Sequence, residues 1–176
     1  KIIEEGHLHR GSKPVYWCEE CGSALAEAEV EYADKESKAI DFLFPIKPDQ
    51  TKAIFNNASS ENIFVASWTT TPWTIPSNKA ICFNSKFSYE LIELKFKGKI
   101  LNLIICSDLI DATLERYELD KYKKLGKVTG DELAGLICHH PFLDQESPLI
   151  SGDHVTKEMG TGFVHTAPAH GLEDYE

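Results

Sequence analysis

The stretch over residues 68–78, which reads WTTTPWTIPSN, restricts the folds open to this chain more than any other part of it. Threonine hydroxyls both donate and accept hydrogen bonds, so three in a row are able to line a polar pocket. Pro72 fixes its own φ and favours an extended Thr71, which would hold the hydroxyls in place before a ligand binds. The stretch is equally compatible with a plain β-branched strand end that a proline turn caps.

The composition is typical of one globular domain, and we predict a single domain over residues 1–176. Of the 176 residues, 42% are hydrophobic and 26% are charged, which is enough to build a buried core. The formal charge of −10 argues against nonspecific nucleic acid binding through a broad basic face. The sequence contains no run of roughly 20 apolar residues and no recognisable signal peptide, so we expect a cytoplasmic protein without a membrane partner.

The five cysteines are odd in number and irregularly spaced, which argues against a secreted disulfide framework. Cys18 and Cys21 form a C-x-x-C pair, and structural zinc is often bound by paired cysteines within a set of four ligands. The sequence has no second pair, although Cys138, His139 and His140 would complete a site if the fold brought them close. We therefore expect no zinc at Cys18 and Cys21, and reduced thiols throughout the chain.

The pattern of apolar residues predicts a mainly β, α+β fold, with a barrel-like mixed sheet decorated by short helices. The clearest element is a hairpin of residues 89–96 and 99–106 around a turn at Lys97-Gly98. A strand over residues 63–68 would deliver the threonines at its end, where a sheet holds side chains rigidly. The other main predictions are a strand over residues 28–32, a polar loop over residues 56–62 and a helix over residues 107–117 that Ser107 caps.

A second informative stretch covers residues 160–175 and reads GTGFVHTAPAHGLEDY. Gly160 and Gly162 would let the backbone approach a ligand closely, although they match no dinucleotide or phosphate motif. His165 falls in a predicted short strand, either as a ligand contact or as a buried core histidine. Asp174 lies at a helix start, where an acidic side chain also complements the helix dipole.

Together with KPVYWCEECGSALAEAEVEY at residues 13–32, these two stretches resemble the editing domain inserted into class I isoleucyl-tRNA synthetases. The resemblance covers nearly the whole chain. The valyl and leucyl enzymes are less similar, because they are expected to carry arginine where this chain has Thr71 and to lack a histidine at His165. The HIGH-like and KMSKS-like motifs of a catalytic domain are absent, so the resemblance implies an excised piece of a larger synthetase that edits but does not aminoacylate.

The activity that the resemblance implies is aminoacyl-tRNA deacylation: hydrolysis of valine mischarged on isoleucine tRNA, and of valyl-adenylate. The implied catalytic residues are Thr70, Thr71 and Asp174, with Asp174 also holding the ammonium group of the substrate. His165 would exclude the extra methylene of isoleucine sterically. The implied substrate contacts are Thr69, Trp73, Asn78, Gly162, His165 and Asp174, of which Thr69 contributes mainly to backbone geometry.

The resemblance implies no cofactor or metal for editing, whereas ATP and Mg belong to the catalytic domain of the full enzyme. The implied partners are the 3′ end of isoleucine tRNA carrying valine, valyl-adenylate and the remainder of the synthetase chain. We expect a monomer that by itself binds tRNA weakly, because its net charge is negative. Two alternatives stay open: a noncatalytic module that binds an aminoacyl end, and a small zinc-stabilised interaction domain.

Overall fold

The computed structural model describes residues 1–8, 10–34, 36–55 and 62–175. The chain divides into two compact units, a larger one of residues 37–167 and a smaller one of residues 1–36 with 168–176. The single domain expected over residues 1–176 stays a prediction. The polar loop predicted over residues 56–62 lies outside the described residues except for Asn62.

The chain is built mainly from short strands. In chain order they are β1 (Tyr16–Cys18), β2 (Ser23–Leu25), β3 (Ile40–Pro45), β4 (Ile63–Thr69), β5 (Ala80–Phe83), β6 (Ser88–Phe96), β7 (Lys99–Cys106), β8 (Lys123–Thr129), β9 (Ile137–His139), β10 (Glu146–Ser151) and β11 (Phe163–Thr166). The α-helices are α1 (Pro48–Ile54), α2 (Ile110–Arg116) and α3 (Leu172–Tyr175). Single 3-10 turns or short 3-10 helices cover Glu27–Glu29, Pro72–Ser77, Ser107–Leu109 and Gly130–Leu133.

Five strands of the larger unit form a mixed sheet in the order β3-β4-β7-β6-β8. The predicted hairpin is confirmed as β6 and β7, which pair antiparallel around Lys97 and Gly98. Both turn residues have positive φ, 47° and 83°, as a two-residue hairpin turn requires. The strand predicted over residues 63–68 is confirmed as β4, which pairs antiparallel with β3 and parallel with β7. The threonines therefore leave the sheet from an interior strand.

Four further strands of the larger unit form a second mixed sheet in the order β11-β5-β10-β9. The prediction of a mainly β fold with mixed sheets and short helices is confirmed, but the described strands do not close into a barrel. The strands of the larger unit form two open sheets instead, and these two sheets share one buried core. An isolated bridge between Ile46 and Cys138 links the end of β3 to β9.

The main core of the larger unit combines apolar residues from both sheets. Its fully buried members include Phe44, Val65, Ile81, Phe83, Leu91, Ile104 and Phe163. A second cluster lies on the other face of the five-stranded sheet, where α2 covers Ile92, Leu103 and Ile105. Because the second half of β7 is buried on both faces, its sequence is an almost continuous apolar run, whereas charged residues alternate with apolar ones in β6.

The helix predicted over residues 107–117 forms, but it is divided into the 3-10 turn Ser107–Leu109 and α2. The capping role predicted for Ser107 is wrong, since its hydroxyl is buried without a hydrogen-bond partner among the described residues. The helix is anchored at its other end. Arg116 pairs with Asp41 at 2.9 Å and donates to the carbonyl oxygen of Gly160 at 3.2 Å.

In the smaller unit, β1 and β2 form an antiparallel hairpin that brings Cys18 opposite Ser23. The strand predicted over residues 28–32 is wrong. The segment begins instead with a 3-10 turn at Glu27–Glu29, because the Glu29 carboxylate accepts a hydrogen bond from the Ala26 backbone N–H at 2.7 Å. This local bond satisfies the backbone without a partner strand. Across the described parts of both units, every helix is too short or too polar to cross a bilayer.

Gly162, directly before β11, combines a left-handed backbone with a neighbour that fills the space of a side chain. A Cβ atom at this position would lie 2.3 Å from the Cβ of Cys106, and φ is +82°. Gly98 in the β6–β7 turn has nearly the same φ, +83°, but no atom lies within 4 Å of the place that a Cβ would take there. Both glycines therefore have a left-handed backbone conformation. Of the two, only Gly162 also lacks space for a Cβ atom.

We predict that Gly162→Ala lowers the free energy of unfolding by about 1–3 kcal/mol more than Gly98→Ala does. Gly98→Ala should cost only about 1 kcal/mol, for the left-handed backbone alone. Urea denaturation of both variants measures the difference, and coincident midpoints would show that the contact with Cys106 is easily relieved.

Candidate functional site

The end of β4 places the three threonines in different environments. Thr69 is buried and its hydroxyl oxygen accepts a hydrogen bond from the Thr71 backbone N–H at 3.0 Å. The Thr69 and Thr71 hydroxyl oxygens lie 3.2 Å apart. Thr70 and Thr71 are exposed, and Ser37 donates to the Thr70 carbonyl oxygen at 3.0 Å. Thr69 thus fixes the local backbone, while the other two threonines face solvent.

A short 3-10 helix at Pro72–Ser77 follows the threonines, with proline at its first position. Its first turn closes on Thr71, whose carbonyl oxygen accepts from the Thr74 backbone N–H at 3.0 Å and from the Thr74 hydroxyl at 2.8 Å. Trp73 is 68% exposed on the outer face of this helix. An exposed indole ring offers a flat surface for a base or an apolar group.

His165 on β11 is hydrogen-bonded through both ring nitrogens, to this 3-10 helix and to the residue that follows it. Its Nε2 lies 2.7 Å from the Thr74 hydroxyl oxygen, and its Nδ1 lies 3.0 Å from the Asn78 side-chain nitrogen. The ring also makes an edge contact with Phe42, with 5.9 Å between ring centroids. Only 7% of His165 is exposed. The two informative stretches of the sequence therefore meet at His165.

Asn78 is fully buried, and its carboxamide is shared among three groups of the protein. Besides His165, the side-chain nitrogen donates to the Ala80 carbonyl oxygen at 2.7 Å, and the side-chain oxygen accepts from Ser147 at 2.7 Å. Gln145 donates to the Asn78 backbone carbonyl oxygen at 2.6 Å. The direct substrate contact predicted for Asn78 stays a prediction, and in the structure its carboxamide is hydrogen-bonded to protein groups.

The connection between β9 and β10 is hydrogen-bonded to the same 3-10 helix through His140. His140 is buried, and its Nε2 lies 2.9 Å from the Ile75 carbonyl oxygen, which only accepts, so Nε2 carries the proton. Its Nδ1 accepts from the Phe142 and Leu143 backbone N–H groups. His140 therefore has a structural task that leaves no lone pair for a metal.

Gly162, predicted as a substrate contact, is buried beneath the site. Its carbonyl oxygen accepts from the Tyr89 hydroxyl at 3.0 Å, and the space beside its Cα is filled by Cys106. Burial raises the pKa of Tyr89, which keeps this hydroxyl a donor. Close packing explains the glycine without a ligand, and its predicted contact is untested.

Asp174 belongs to the smaller unit, where it is half-buried in the first turn of α3. Within that unit, a cleft of about 480 Å³ lies between residues 14–17 and residues 169–172, directly before Asp174. Its predicted contact with a substrate ammonium group stays a prediction. The other predicted site residues, Thr69, Thr70, Thr71, Trp73, Asn78, Gly162 and His165, all lie in the larger unit.

The thiols fall into two chemical classes. Cys82, Cys106 and Cys138 are buried, and burial raises the pKa of Cys106 and takes that of Cys138 to about 12. These two therefore stay protonated and poorly nucleophilic at neutral pH. At the surface, the Cys21 backbone N–H lies 3.3 Å from the Cys18 sulfur and lowers the Cys18 pKa.

The described residues contain no cluster of three or more His, Cys, Asp or Glu side chains arranged to bind a metal ion. Of the further ligands considered in the sequence, Cys138 is buried and His140 is hydrogen-bonded to backbone groups through both ring nitrogens. The expected absence of a zinc ion stays a prediction.

Sequence reasoning missed Thr74, Gln145 and Ser147. The contact of Thr74 with Thr71 could have been predicted, because Pro72 at a helix start places Thr74 one 3-10 turn after Thr71. Gln145 and Ser147 were not, since their contacts with Asn78 depend on how the second sheet is assembled.

Comparison with known proteins gives the chain its family. Residues 1–162 match the model for tRNA synthetases class I (I, L, M and V). The chain is 48% identical to the isoleucine–tRNA ligase of Colwellia psychrerythraea and 49% identical to that of Coxiella burnetii, in each case over 99% of its length. It spans only 19% of the length of these two relatives.

Solved structures agree on the fold. The P. knowlesi cytosolic leucyl-tRNA synthetase editing domain matches with a TM-score of 0.63 and 15% identity, over 81% of this chain and 63% of that one. A P. falciparum counterpart matches with a TM-score of 0.62 and 12% identity, over 79% and 64%. The chain has the fold of these domains, and it belongs to the class I tRNA synthetase family (I, L, M and V).

Proposed function

We propose that this chain is the editing domain of an isoleucyl-tRNA synthetase, and that it hydrolyses valine esterified to isoleucine tRNA, together with valyl-adenylate. The observation that supports this most directly is the hydrogen-bonded path from His165 through Thr74 to Thr71, because it joins a candidate amino-acid contact to a candidate ester site. Identities of 48–49% to isoleucine–tRNA ligases support the same assignment.

Editing is needed because a hydrophobic pocket rejects a substrate one methylene smaller by only about 1–3 kcal/mol, a general magnitude for which the isoleucyl enzyme itself is the standard illustration. A second site must therefore accept valine and exclude isoleucine. His165 suits this task, since a ring held at both nitrogens is a rigid wall against which the longer isoleucine side chain collides.

The remaining groups of the substrate have partners of suitable chemistry. The Asp174 carboxylate would bind the free ammonium group through a charge-assisted hydrogen bond. Thr70 and Thr71 would hold the ester carbonyl and the attacking water, because their side chains are exposed at a rigid strand end. Trp73 would stack against the terminal adenosine.

The proposed reaction is attack of a water molecule on the ester carbonyl carbon. The carbonyl oxygen gains negative charge in the tetrahedral intermediate, and hydroxyl and backbone N–H donors at the strand end stabilise that charge. The bond from carbon to the ribose oxygen then breaks, the ribose oxygen takes the proton that the attacking water loses, and valine is released. This route uses neither a protein nucleophile nor a cofactor, so ATP and Mg are assigned to the catalytic domain of a full enzyme.

The proposed partners are the 3′ end of isoleucine tRNA and the remainder of a synthetase chain. The chain by itself would bind tRNA weakly, since its formal charge is −10 and the tRNA body needs basic contacts from elsewhere.

We predict that Thr71→Val slows hydrolysis of valyl-tRNA by about 100-fold in kcat, because it removes a hydroxyl donor and keeps the shape of the side chain. Thr71→Ser retains the hydroxyl and should keep most of the rate. Single-turnover deacylation measures both variants. Equal rates for the two would show that the Thr71 hydroxyl takes no part in hydrolysis, and absence of hydrolysis by the unmodified chain would favour a noncatalytic module that only binds the aminoacyl end.

We predict that Asp174→Ala lowers kcat/KM for valyl-tRNA by about 100-fold, since a charge-assisted hydrogen bond to the ammonium group is lost. Glu173→Ala, the matched change at the exposed neighbouring position, should leave kcat/KM unaltered. If Asp174→Ala is as active as Glu173→Ala, the ammonium group is held by another residue.

We predict that His165→Ala makes the chain hydrolyse correctly charged isoleucyl-tRNA, because the space of the imidazole ring becomes available to the longer side chain. The exposed His139 supplies the control, and His139→Ala should still spare isoleucyl-tRNA. Deacylation of the two aminoacyl-tRNAs is compared side by side. A His165→Ala variant that folds and still spares isoleucine would place the steric wall elsewhere.

A further inference from the structure

The hydrogen bonds around His165 determine which of its nitrogens carries the proton. The Ala80 carbonyl oxygen can only accept, so the Asn78 atom that lies 2.7 Å from it must be the amide nitrogen. The second hydrogen of that nitrogen points to His165 Nδ1 at 3.0 Å. Nδ1 therefore accepts, and a neutral His165 carries its proton on Nε2.

The proton on Nε2 has a hydrogen-bond acceptor. It points to the Thr74 hydroxyl oxygen at 2.7 Å, and that hydroxyl donates its own hydrogen to the Thr71 carbonyl oxygen at 2.8 Å. Donors and acceptors thus alternate without conflict from Asn78 through His165 and Thr74 to Thr71. A second proton on Nδ1 would face the Asn78 amide hydrogens, so this arrangement accommodates the neutral ring.

Asn78 is itself held from two sides by the segment that begins β10. Ser147, which is fully buried, donates to the Asn78 side-chain oxygen at 2.7 Å, and Gln145 donates to the Asn78 backbone carbonyl oxygen at 2.6 Å. These contacts fix the direction of the carboxamide, and hence the direction in which its nitrogen faces His165.

We propose that Asn78, fixed by Ser147 and Gln145, is a positioning residue that holds His165 as the Nε2–H tautomer in one ring orientation and thereby sets the discrimination between valine and isoleucine. This proposal rests on the proposed editing function and assigns Asn78 no contact with substrate. A ring bonded at both nitrogens resists displacement by an alkyl group. A ring bonded at one nitrogen pivots and admits the longer side chain.

The tautomer is measured directly by long-range ¹H–¹⁵N correlation on the ¹⁵N-histidine-labelled chain of 176 residues, with the His165 signals identified by their loss in His165→Gln. The expected result is a protonated Nε2 and an unprotonated Nδ1. A protonated Nδ1 in the unmodified chain overturns the proposal. This measurement needs neither tRNA nor activity, so it decides the hydrogen-bond assignment even if the chain proves not to hydrolyse valyl-tRNA, an outcome that would refute only the proposed function.

Asn78→Asp tests the step from tautomer to selectivity, because it replaces a donor facing Nδ1 with an acceptor. The expected results are a protonated Nδ1 and a fall of about tenfold in the ratio of valyl-tRNA to isoleucyl-tRNA hydrolysis. A folded variant with an unchanged tautomer and ratio overturns the proposal.

Ser147→Ala avoids a buried charge and serves even if the aspartate variant fails to fold. It should lower the same ratio several-fold, whereas Ser151→Ala, the same change at an exposed position of β10, should not. Equal ratios in these two variants overturn the role assigned to Ser147. Because both substrates are measured in each variant, a uniform loss of stability is distinguished from a loss of selectivity.

Discussion

Hydrogen bonds from buried hydroxyls connect the two sheets of the larger unit, and the placement of the candidate site residues depends on these bonds. Ser67 of β4 donates to the Phe163 carbonyl oxygen at 3.2 Å, and Thr161 donates to the Ala66 carbonyl oxygen at 2.5 Å. These bonds take the place of the strand ladder that a closed barrel would have between β4 and β11. They bring the two strands side by side, and consequently the threonines at the end of β4 lie near His165 on β11.

Elements with strong local signals could be predicted from the sequence. The β6–β7 hairpin follows from alternation around Lys97-Gly98, and β4 follows from a compact apolar run before the threonines. Residues 28–32 alternate just as clearly, yet the segment begins with a 3-10 turn because the Glu29 side chain bonds to the preceding backbone. Alternation predicts a strand only where a neighbouring strand is present, and a single sequence does not show where the neighbours are.

The sequence likewise predicted some of the candidate site residues and not their contacts. Thr70, Thr71, His165 and Asp174 followed from the resemblance of two long motifs, and the structure brings the first three into one unit. The role of Asn78 did not follow, because its residue type fits a substrate contact as well as a buried hydrogen-bonding centre. Only the structure shows its burial and its bonds to Ala80, Ser147 and His165, and its substrate contact stays a prediction.

The alternation of β10 links the hydrogen bonds of Asn78 to strand register. Ser147 and Leu149 are buried while Pro148 and Ile150 are exposed, and a shift of one residue would turn proline or glutamate toward Asn78. The register is set by the short connection after β9, which is also where His140 and Gln145 hold the 3-10 helix. Under the proposed function, an insertion or deletion in this connection, remote in sequence from both threonines and His165, would alter the choice of amino acid.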